Sequence, residues 1–208
     1  DSFATVEPYT VLSPDGRSIA FVARPTNDGT FLLYVRPVDA VTPQPLSGTE
    51  DARLTFWSPD SRFVGYLARG EKLRKIAANG GPPQDICDAP GFAGGTWNAE
   101  GIILFGSPAG IFRVSAEGGA PEAVTKIDAG ETGHFWPRFL PDGQHYLYLV
   151  VSTDPAKSGI FAGSLGSPDR TRILPVASNP QTVFLFIGCT PQLLLVIVSV
   201  TGWRVPLR

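Results

Sequence analysis

Short apolar runs separated by turn residues follow one another along most of the chain, and no stretch repeats apolar residues at the three- and four-residue spacing of an amphipathic helix. Several runs, such as 63–67 and 146–150, are apolar on both faces and rich in Val, Ile, Phe and Tyr. This composition favours strands. Because a strand that is apolar on both faces needs cover on each side, the pattern predicts sheets stacked against one another.

A short phrase precedes four of these runs: a large apolar residue, then Pro or Ala, an acid and usually Gly. The acids of the four copies, Asp15, Asp60, Glu100 and Asp142, lie 45, 40 and 42 residues apart. This period matches a four-stranded propeller blade and exceeds those of ankyrin, tetratricopeptide and leucine-rich repeats. The predicted fold is therefore all-β, a β-propeller with about four recognisable four-stranded blades and a C-terminal strand pair, incomplete as a ring.

The repeat divides the chain into a propeller segment, 1–179, and an atypical apolar tail, 180–208. In the tail, two apolar runs flank a Gly-Cys-Thr-Pro-Gln turn, which predicts a strand pair that starts a further blade. A membrane span and foreign sequence from a shifted reading frame are the alternatives, although Gly, Pro and Gln interrupt an apolar stretch near the lower length limit of about 17 residues. The predicted blades occupy approximately 9–48, 53–88, 94–126 and 134–177.

Composition and charge narrow the classes of function. The chain is 43% hydrophobic and 17% charged, and its formal charge of −2 without a basic stripe argues against nucleic acid as a partner. For the two cysteines, Cys87 and Cys189, two separate buried thiols and one bridge are both open. We expect no cofactor and no metal. The chain begins at Asp1 and contains no Met, so we expect a piece of a longer gene product, with any signal segment elsewhere or already removed.

The residues also predict no enzyme. A serine hydrolase of the elbow type needs Gly-x-Ser-x-Gly, and the segment 163–166, Gly-Ser-Leu-Gly, lacks that spacing. No His follows that segment to complete a triad. We therefore expect a binding or sensing module without chemistry of its own.

The four acids of the repeat are predicted to be structural. Pro presets φ for a tight turn, the acid can accept hydrogen bonds from backbone amides beyond it, and Gly accepts positive φ. Metal ligation is the alternative for Asp15, Asp60, Glu100 and Asp142, but each acid belongs to a different blade. The large residue three positions before each acid, Leu12, Trp57, Trp97 or Phe139, is predicted to pack between blades, with an aromatic lining for a sugar or peptide as the alternative.

Candidate ligand-binding residues lie where loops of neighbouring blades converge on the central channel. His134 enters the innermost strand of the fourth blade, and Trp136 and Arg138 follow at alternate positions, so all three share a face if the segment is extended. A neutral anchor that hydrogen-bonds the loop and a ligand contact are both open for His134. The predicted channel-mouth site consists of Trp57, Trp97, His134, Trp136 and Arg138.

Several phrases carry a family likeness. The segment 57–66, beginning Trp-Ser-Pro-Asp-Ser, resembles the repeat of TolB-type, WD-like bacterial propellers. More narrowly, 87–91, 94–98 and 134–143 resemble the propeller appended to membrane-anchored bacterial serine/threonine kinases. The resemblance implies a non-catalytic sensor or interaction domain on the periplasmic or extracellular side of the inner membrane.

Two alternatives of function stay open at this point. A propeller that gates a prolyl-oligopeptidase-like serine peptidase would have similar turns and no triad of its own, and a free-standing TolB-like periplasmic scaffold would also fit the repeat. The partner is a protein or small molecule of unknown identity. Because an open propeller leaves blade faces bare, we also expect self-association through the open blade edges.

Overall fold

The computed structural model describes residues 10–24 and 29–175, together with the backbone of 184–190 and 193–199. Its strands form successive antiparallel sheets, one for each repeat of the sequence. In the first two repeats, blades 1 and 2, the strands are β1 (Val11–Leu12), β2 (Ser18–Ala23), β3 (Leu32–Pro37), β4 (Gln44–Pro45), β5 (Arg53–Trp57), β6 (Phe63–Ala68), β7 (Lys72–Ala77) and β8 (Gln84–Asp88).

The next two repeats, blades 3 and 4, keep the same strand order from inner to outer. One backbone pairing, Ser107 with His134, joins their sheets at the inner side. A short 3₁₀ turn, Pro155–Lys157, links two strands of blade 4. The strands are β9 (Gly95–Trp97), β10 (Ile102–Ser107), β11 (Gly110–Ser115), β12 (Glu122–Ala123), β13 (Glu131–Phe139), β14 (His145–Ser152), β15 (Gly159–Ser164) and β16 (Ser167–Pro175).

The core consists of layers between neighbouring blades. The second strands of blades 2, 3 and 4 are covered on both faces, as their sequences require, whereas Ile19 and Phe21 on one face of β2 are only half-buried. In β14, for example, Tyr146 and Tyr148 pack towards blade 3, whereas Leu147 and Leu149 lie in a separate cluster on the opposite face. The prediction of an all-β, incomplete propeller is confirmed, and no described helix is long and apolar enough to cross a membrane.

The packing anchors show which way the blades face. Trp57 packs against blade 1, Trp97 against blade 2 and Phe139 against blade 3, so each anchor contacts the preceding blade. Leu12 differs from the prediction, because its side chain is 58% exposed. The reason is geometric: no described blade precedes blade 1, so the face that Leu12 would cover is missing from the described part of the chain.

The tail is described by its backbone alone. β17 (Phe184–Thr190) and β18 (Leu193–Ser199) form an antiparallel hairpin, paired from Phe184 with Ser199 to Thr190 with Leu193. Its role as the start of a further blade stays a prediction. Cys87 is a free, half-buried thiol, while the side chain of Cys189 lies outside the described residues.

Candidate functional site

His134 lies at the centre of a buried polar cluster between blades 3 and 4. Its side chain is fully buried, and it packs on the Tyr148 ring with 5.2 Å between centroids. Nδ1 lies 2.7 Å from the Thr125 hydroxyl oxygen, and Nε2 lies 2.9 Å from a Glu131 carboxylate oxygen. The ionised Glu131 carboxylate can only accept, so Nε2 carries the imidazole proton and donates to it, while Nδ1 accepts from the Thr125 hydroxyl, whose oxygen also accepts from the Ile111 amide.

Glu131 and Arg170 form the charged part of this cluster. The nitrogens Nη1 and Nη2 of Arg170 donate to the two carboxylate oxygens of Glu131 at 3.2 and 2.6 Å, and Nη2 also donates to Asp128 at 2.7 Å. Only 5% of the Glu131 side chain is exposed. A bidentate pair at such depth holds β13 against the outer strand β16 of the same blade.

The cluster changes the protonation behaviour of its members. Burial by itself would raise the pKa of Glu131, but hydrogen bonds from Arg170, the Asp128 amide and His134 lower that pKa to about 2. Burial lowers the pKa of His134 below its ordinary value, and the Glu131 carboxylate opposes this only in part. At neutral pH the cluster therefore contains an ionised Glu131, an ionised Arg170 and a neutral His134.

Two β-bulges in β13 decide which side chains meet. Between Glu131 and Gly133 the strand advances two residues while β14 advances one, so Glu131 and His134 fall on one face although they are three positions apart. Between Phe135 and Arg138, β13 advances three residues while β14 advances two. Strict alternation would have separated Glu131 from His134.

The second bulge overturns the expectation that Trp136 and Arg138 share the face of His134. Trp136 sits at this bulge with a φ of 55°, a left-handed value that is strained for a bulky residue, and it packs with the cluster on the far face of blade 4. Arg138 pairs with Leu147 of that face and donates from Nη1 to the Gly95 carbonyl at 3.1 Å. The structure therefore does not bring the three residues together as one site.

Both predicted tryptophans of the earlier blades take part in packing between blades. Trp57 is buried, and its Nε1 donates to the Val11 carbonyl at 2.9 Å. Trp97 is half-buried beside the Phe63 ring, and Lys75 Nζ lies 6.0 Å from the Trp97 ring. Within the described residues, these two side chains do not meet His134.

Three of the four turn acids accept local hydrogen bonds. The Asp60 carboxylate accepts from the Ser58 hydroxyl at 2.6 Å and from the Arg62 amide at 3.1 Å, and Asp15 repeats this arrangement in blade 1. Asp142 instead accepts from the Gln144 and His145 amides. Glu100 makes none of these bonds, since the Asn98 side chain takes over the turn by accepting from the Ile102 amide at 2.8 Å.

Sequence reasoning missed Glu131, Arg170, Asp128 and Tyr148 as partners of His134. The signal that could have pointed to Glu131 is its position three residues before the buried histidine. In a regular strand that spacing would place the two side chains on opposite faces, and only the bulge brings them into contact. Arg170 lies 36 residues beyond His134, and nothing in its surroundings along the chain marks it. Among the described residues, no three His, Cys, Asp or Glu side chains are grouped as metal ligands.

Solved structures supply the comparison for this architecture. The structure of putative TolB from Agrobacterium tumefaciens has a TM-score of 0.67 and 18% identity, over 80% of this chain and 64% of that chain. TolB from Acinetobacter baumannii has a TM-score of 0.63 and 15% identity, over 84% and 44%. A putative dipeptidyl aminopeptidase IV from Bacteroides ovatus has a TM-score of 0.53 and 11% identity, over 77% and 32%.

No family model matches the sequence, and no curated protein matches it. The chain spans less than two thirds of the length of each of these three structures. At such identities the likeness establishes the fold, and the kinase-appended propeller stays a prediction from the sequence. The described blades are part of a β-propeller whose fold is similar to that of the TolB structures.

Proposed function

We propose that this chain is a binding module without chemistry of its own, which acts as an interaction propeller on the periplasmic or extracellular side of a bacterial inner membrane. The observation that carries the proposal is the likeness to TolB structures over 80% and 84% of the chain. The sequence resemblance supports the location. Propellers bind partners through loops and side chains held by a rigid scaffold, and the inner strands here provide such positions.

Arg138 is the side chain we propose for partner contact. It lies on the inner strand β13 and is half-buried, and among the described residues its guanidinium has one hydrogen bond, to the Gly95 carbonyl, and no carboxylate within ion-pair distance. Its remaining N–H groups can bind carbonyl or carboxylate oxygens of a partner. The neighbouring Trp136 keeps a strained left-handed φ, a feature that often accompanies binding sites.

Photo-crosslinking in a bacterial envelope tests this proposal. With p-benzoylphenylalanine in place of Trp97, on the inner strand β9, we expect a covalent adduct of one defined mass, and Arg138→Ala should weaken it. The control carries the same probe in place of Val41, which is 89% exposed on the loop between β3 and β4. Equal crosslinking from both positions, or none from either, would contradict a partner site on the inner strands.

The finer proposal is that the module is the extracytoplasmic part of a receptor-type serine/threonine kinase. The phrases at 87–91, 94–98 and 134–143 support it. The flanking gene sequence should then encode a kinase domain and a membrane span upstream, and a β-lactamase fused to this chain in its natural context should protect the host from ampicillin. A gene that encodes only a signal segment before the propeller would favour the free-standing scaffold.

A second candidate is a propeller that gates a serine peptidase. The similarity to the putative dipeptidyl aminopeptidase IV supports it, although this chain covers 32% of that structure. A hydrolase domain encoded in the same reading frame would favour this candidate over the first. Its absence from the complete gene would remove it.

A further inference from the structure

The guanidinium of Arg138 lies where the inner strands of blades 3 and 4 meet. Its Nη1 donates to the Gly95 carbonyl of β9 at 3.1 Å. The amide of the next residue, Phe139, donates to the Thr96 hydroxyl of the same strand at 3.3 Å. These two bonds fix the position of the guanidinium at the inner edge of β13, the side of the blade on which we propose that a partner binds.

Two nitrogens of this guanidinium remain available to a ligand. Among the described residues, Nε and Nη2 of Arg138 make no hydrogen bond, and neither is one of the enclosed polar atoms that lack a partner. The side chain as a whole is half-buried, so part of it is accessible. A group that reaches the inner edge of β13 can therefore accept from these N–H groups while the bond to Gly95 stays in place.

The geometry of the free N–H groups selects the kind of acceptor. A guanidinium is planar, and the N–H groups on its Nε–Nη2 side point in parallel directions. Such a pair matches the two oxygens of one carboxylate, which can accept both bonds at once. A carbonyl group offers a single oxygen, so it would leave this side of Arg138 half satisfied.

The charge of Arg138 has no counter-charge in the described part of the chain. Arg113 and Arg170 pair with the carboxylates of Glu122 and Glu131, whereas Arg138 has no such partner there. Burial lowers the pKa of Arg138, and no charged group contributes to that shift. One isolated positive charge matches the single negative charge of a carboxylate, whereas a phosphate group carries about 1.5–2 negative charges at neutral pH.

The cation is also specific to blade 4. Arg138 occupies the position directly before the packing anchor, and the corresponding residues of blades 1, 2 and 3 are Val11, Phe56 and Thr96. In those blades an uncharged side chain meets the needs of the fold at this position. The positive charge of Arg138 is therefore not a requirement of the blade repeat.

We propose that Arg138 binds a carboxylate of an acidic peptide segment, through parallel hydrogen bonds from Nε and Nη2. The inference rests on the proposed function, because it names the chemical group of the partner that meets this side chain. A cation that is partly removed from water and unpaired is costly, and a carboxylate compensates its charge and fills its free N–H groups together.

The test follows the arginine Nε–H signals of the complete 208-residue chain by ¹H–¹⁵N NMR while small probes are added. Acetyl-Ala-Glu-Ala-amide offers an acidic side chain, and acetyl-Ala-Ala-Ala offers a C-terminal carboxylate. We expect one or both to shift the Arg138 signal, with a dissociation constant of about 10 mM or lower, and the tighter one identifies the source of the carboxylate. Acetyl-Ala-Gln-Ala-amide and inorganic phosphate are the comparison probes, and they should bind more weakly.

Arg138→Lys and Arg113→Lys form a matched pair of variants. Arg138→Lys keeps the charge but loses the parallel N–H groups, so it should weaken carboxylate binding about tenfold, measured from the peptide signals. Arg113→Lys, at a surface ion pair with Glu122, should leave binding unchanged. Circular dichroism reports whether each variant is folded. If Arg138→Lys does not fold, the shift of the Arg138 signal in the unchanged chain still decides the question.

Three outcomes would overturn the inference. The first is that neither carboxylate peptide shifts the Arg138 signal. The second is that the neutral peptide or phosphate binds as tightly as the carboxylates. The third is that folded Arg138→Lys binds as well as the unchanged chain, or that Arg113→Lys lowers the affinity equally.

The same measurements separate this inference from the proposed function. If crosslinking from position 97 gives a defined adduct while no carboxylate peptide binds, the partner site stands and its acidic chemistry is wrong. If the carboxylate peptides bind while crosslinking gives no adduct, Arg138 is a carboxylate site and the interaction propeller is the part that fails.

Discussion

His134 and Glu131 face each other on one strand, with Nε2 of the imidazole 2.9 Å from the carboxylate oxygen, although they are separated by two residues that would ordinarily place them on opposite faces. The same carboxylate is the bidentate partner of Arg170. Glu131 therefore accepts hydrogen bonds both from His134 of its own strand and from Arg170 of the outer strand β16.

Glu131→Gln should destabilise the chain strongly. It leaves Arg170 partly buried with only the exposed Asp128 as its ionic partner, and breaking a buried pair on one side costs about 3–5 kcal/mol. Urea denaturation followed by circular dichroism measures the loss. Glu122→Gln is the control, because Glu122 pairs with Arg113 on the surface and should cost about 1 kcal/mol or less. Equal losses would show that the cluster adds nothing to stability.

The free energy of unfolding should fall as the pH is lowered from neutral. The pKa of Glu131 is about 2 in the folded chain, against an ordinary value of 4.5, so its contribution to stability is complete above pH 4.5 and is lost as the pH falls towards 2. The pKa of His134 is also lowered from 6.5, so below this pH the unfolded chain binds a proton that the folded chain resists. Both groups thus favour the folded state at higher pH.

Urea midpoints measured between neutral pH and pH 3 check this sign. The cluster also contains Arg170 and Asp128, whose charges act on His134, and the charge of Arg170 acts on Glu131 as well. His134→Gln should remove the dependence of the free energy of unfolding on pH near pH 6. His145→Gln, a change on the exposed turn beside Asp142, should retain that dependence. Stability that stays constant or rises on acidification would contradict the protonation states deduced here.

The turn acids should differ in their contributions to stability. Asp60→Ala removes an acceptor for the Ser58 hydroxyl and the Arg62 amide, and it should cost about 1 kcal/mol. Glu100→Ala should cost close to zero, because Asn98 satisfies the Ile102 amide of that turn. Thermal unfolding of both variants measures the two losses of stability. A larger loss for Glu100→Ala than for Asp60→Ala would contradict the conclusion that Asp60, and not Glu100, holds its turn.

The open face of blade 1 should promote self-association. Leu12 occupies the position whose counterparts pack on a preceding blade, and it is exposed. Size-exclusion chromatography of the chain should show a dimer or larger species, and Leu12→Lys should shift it towards the monomer. Val41→Lys, a change on the exposed loop between β3 and β4, should have no such effect. A monodisperse monomer for the unchanged chain would contradict the prediction.

The repeat alone was sufficient to predict the blades. Turn chemistry is local: Pro, the acid and Gly act within five residues, so Asp15 and Asp60 could be assigned to turns without coordinates. Runs that are apolar on both faces require cover, which is why β6 and β14 were expected between neighbouring blades. The exposure of Leu12 could not be predicted, since it depends on what precedes blade 1 in space.

The amino-acid sequence determined by itself an all-β chain with a blade period and a set of hydrogen-bonded turns, because each of these follows from residues close together along the backbone. Only the tertiary structure decided the partners of His134. Two bulges in β13 reverse the side-chain alternation, and Arg170 reaches the cluster from the outer strand of the blade. A single extra residue in a strand moves every later side chain to the other face, and no pattern along the sequence reports where that residue is inserted.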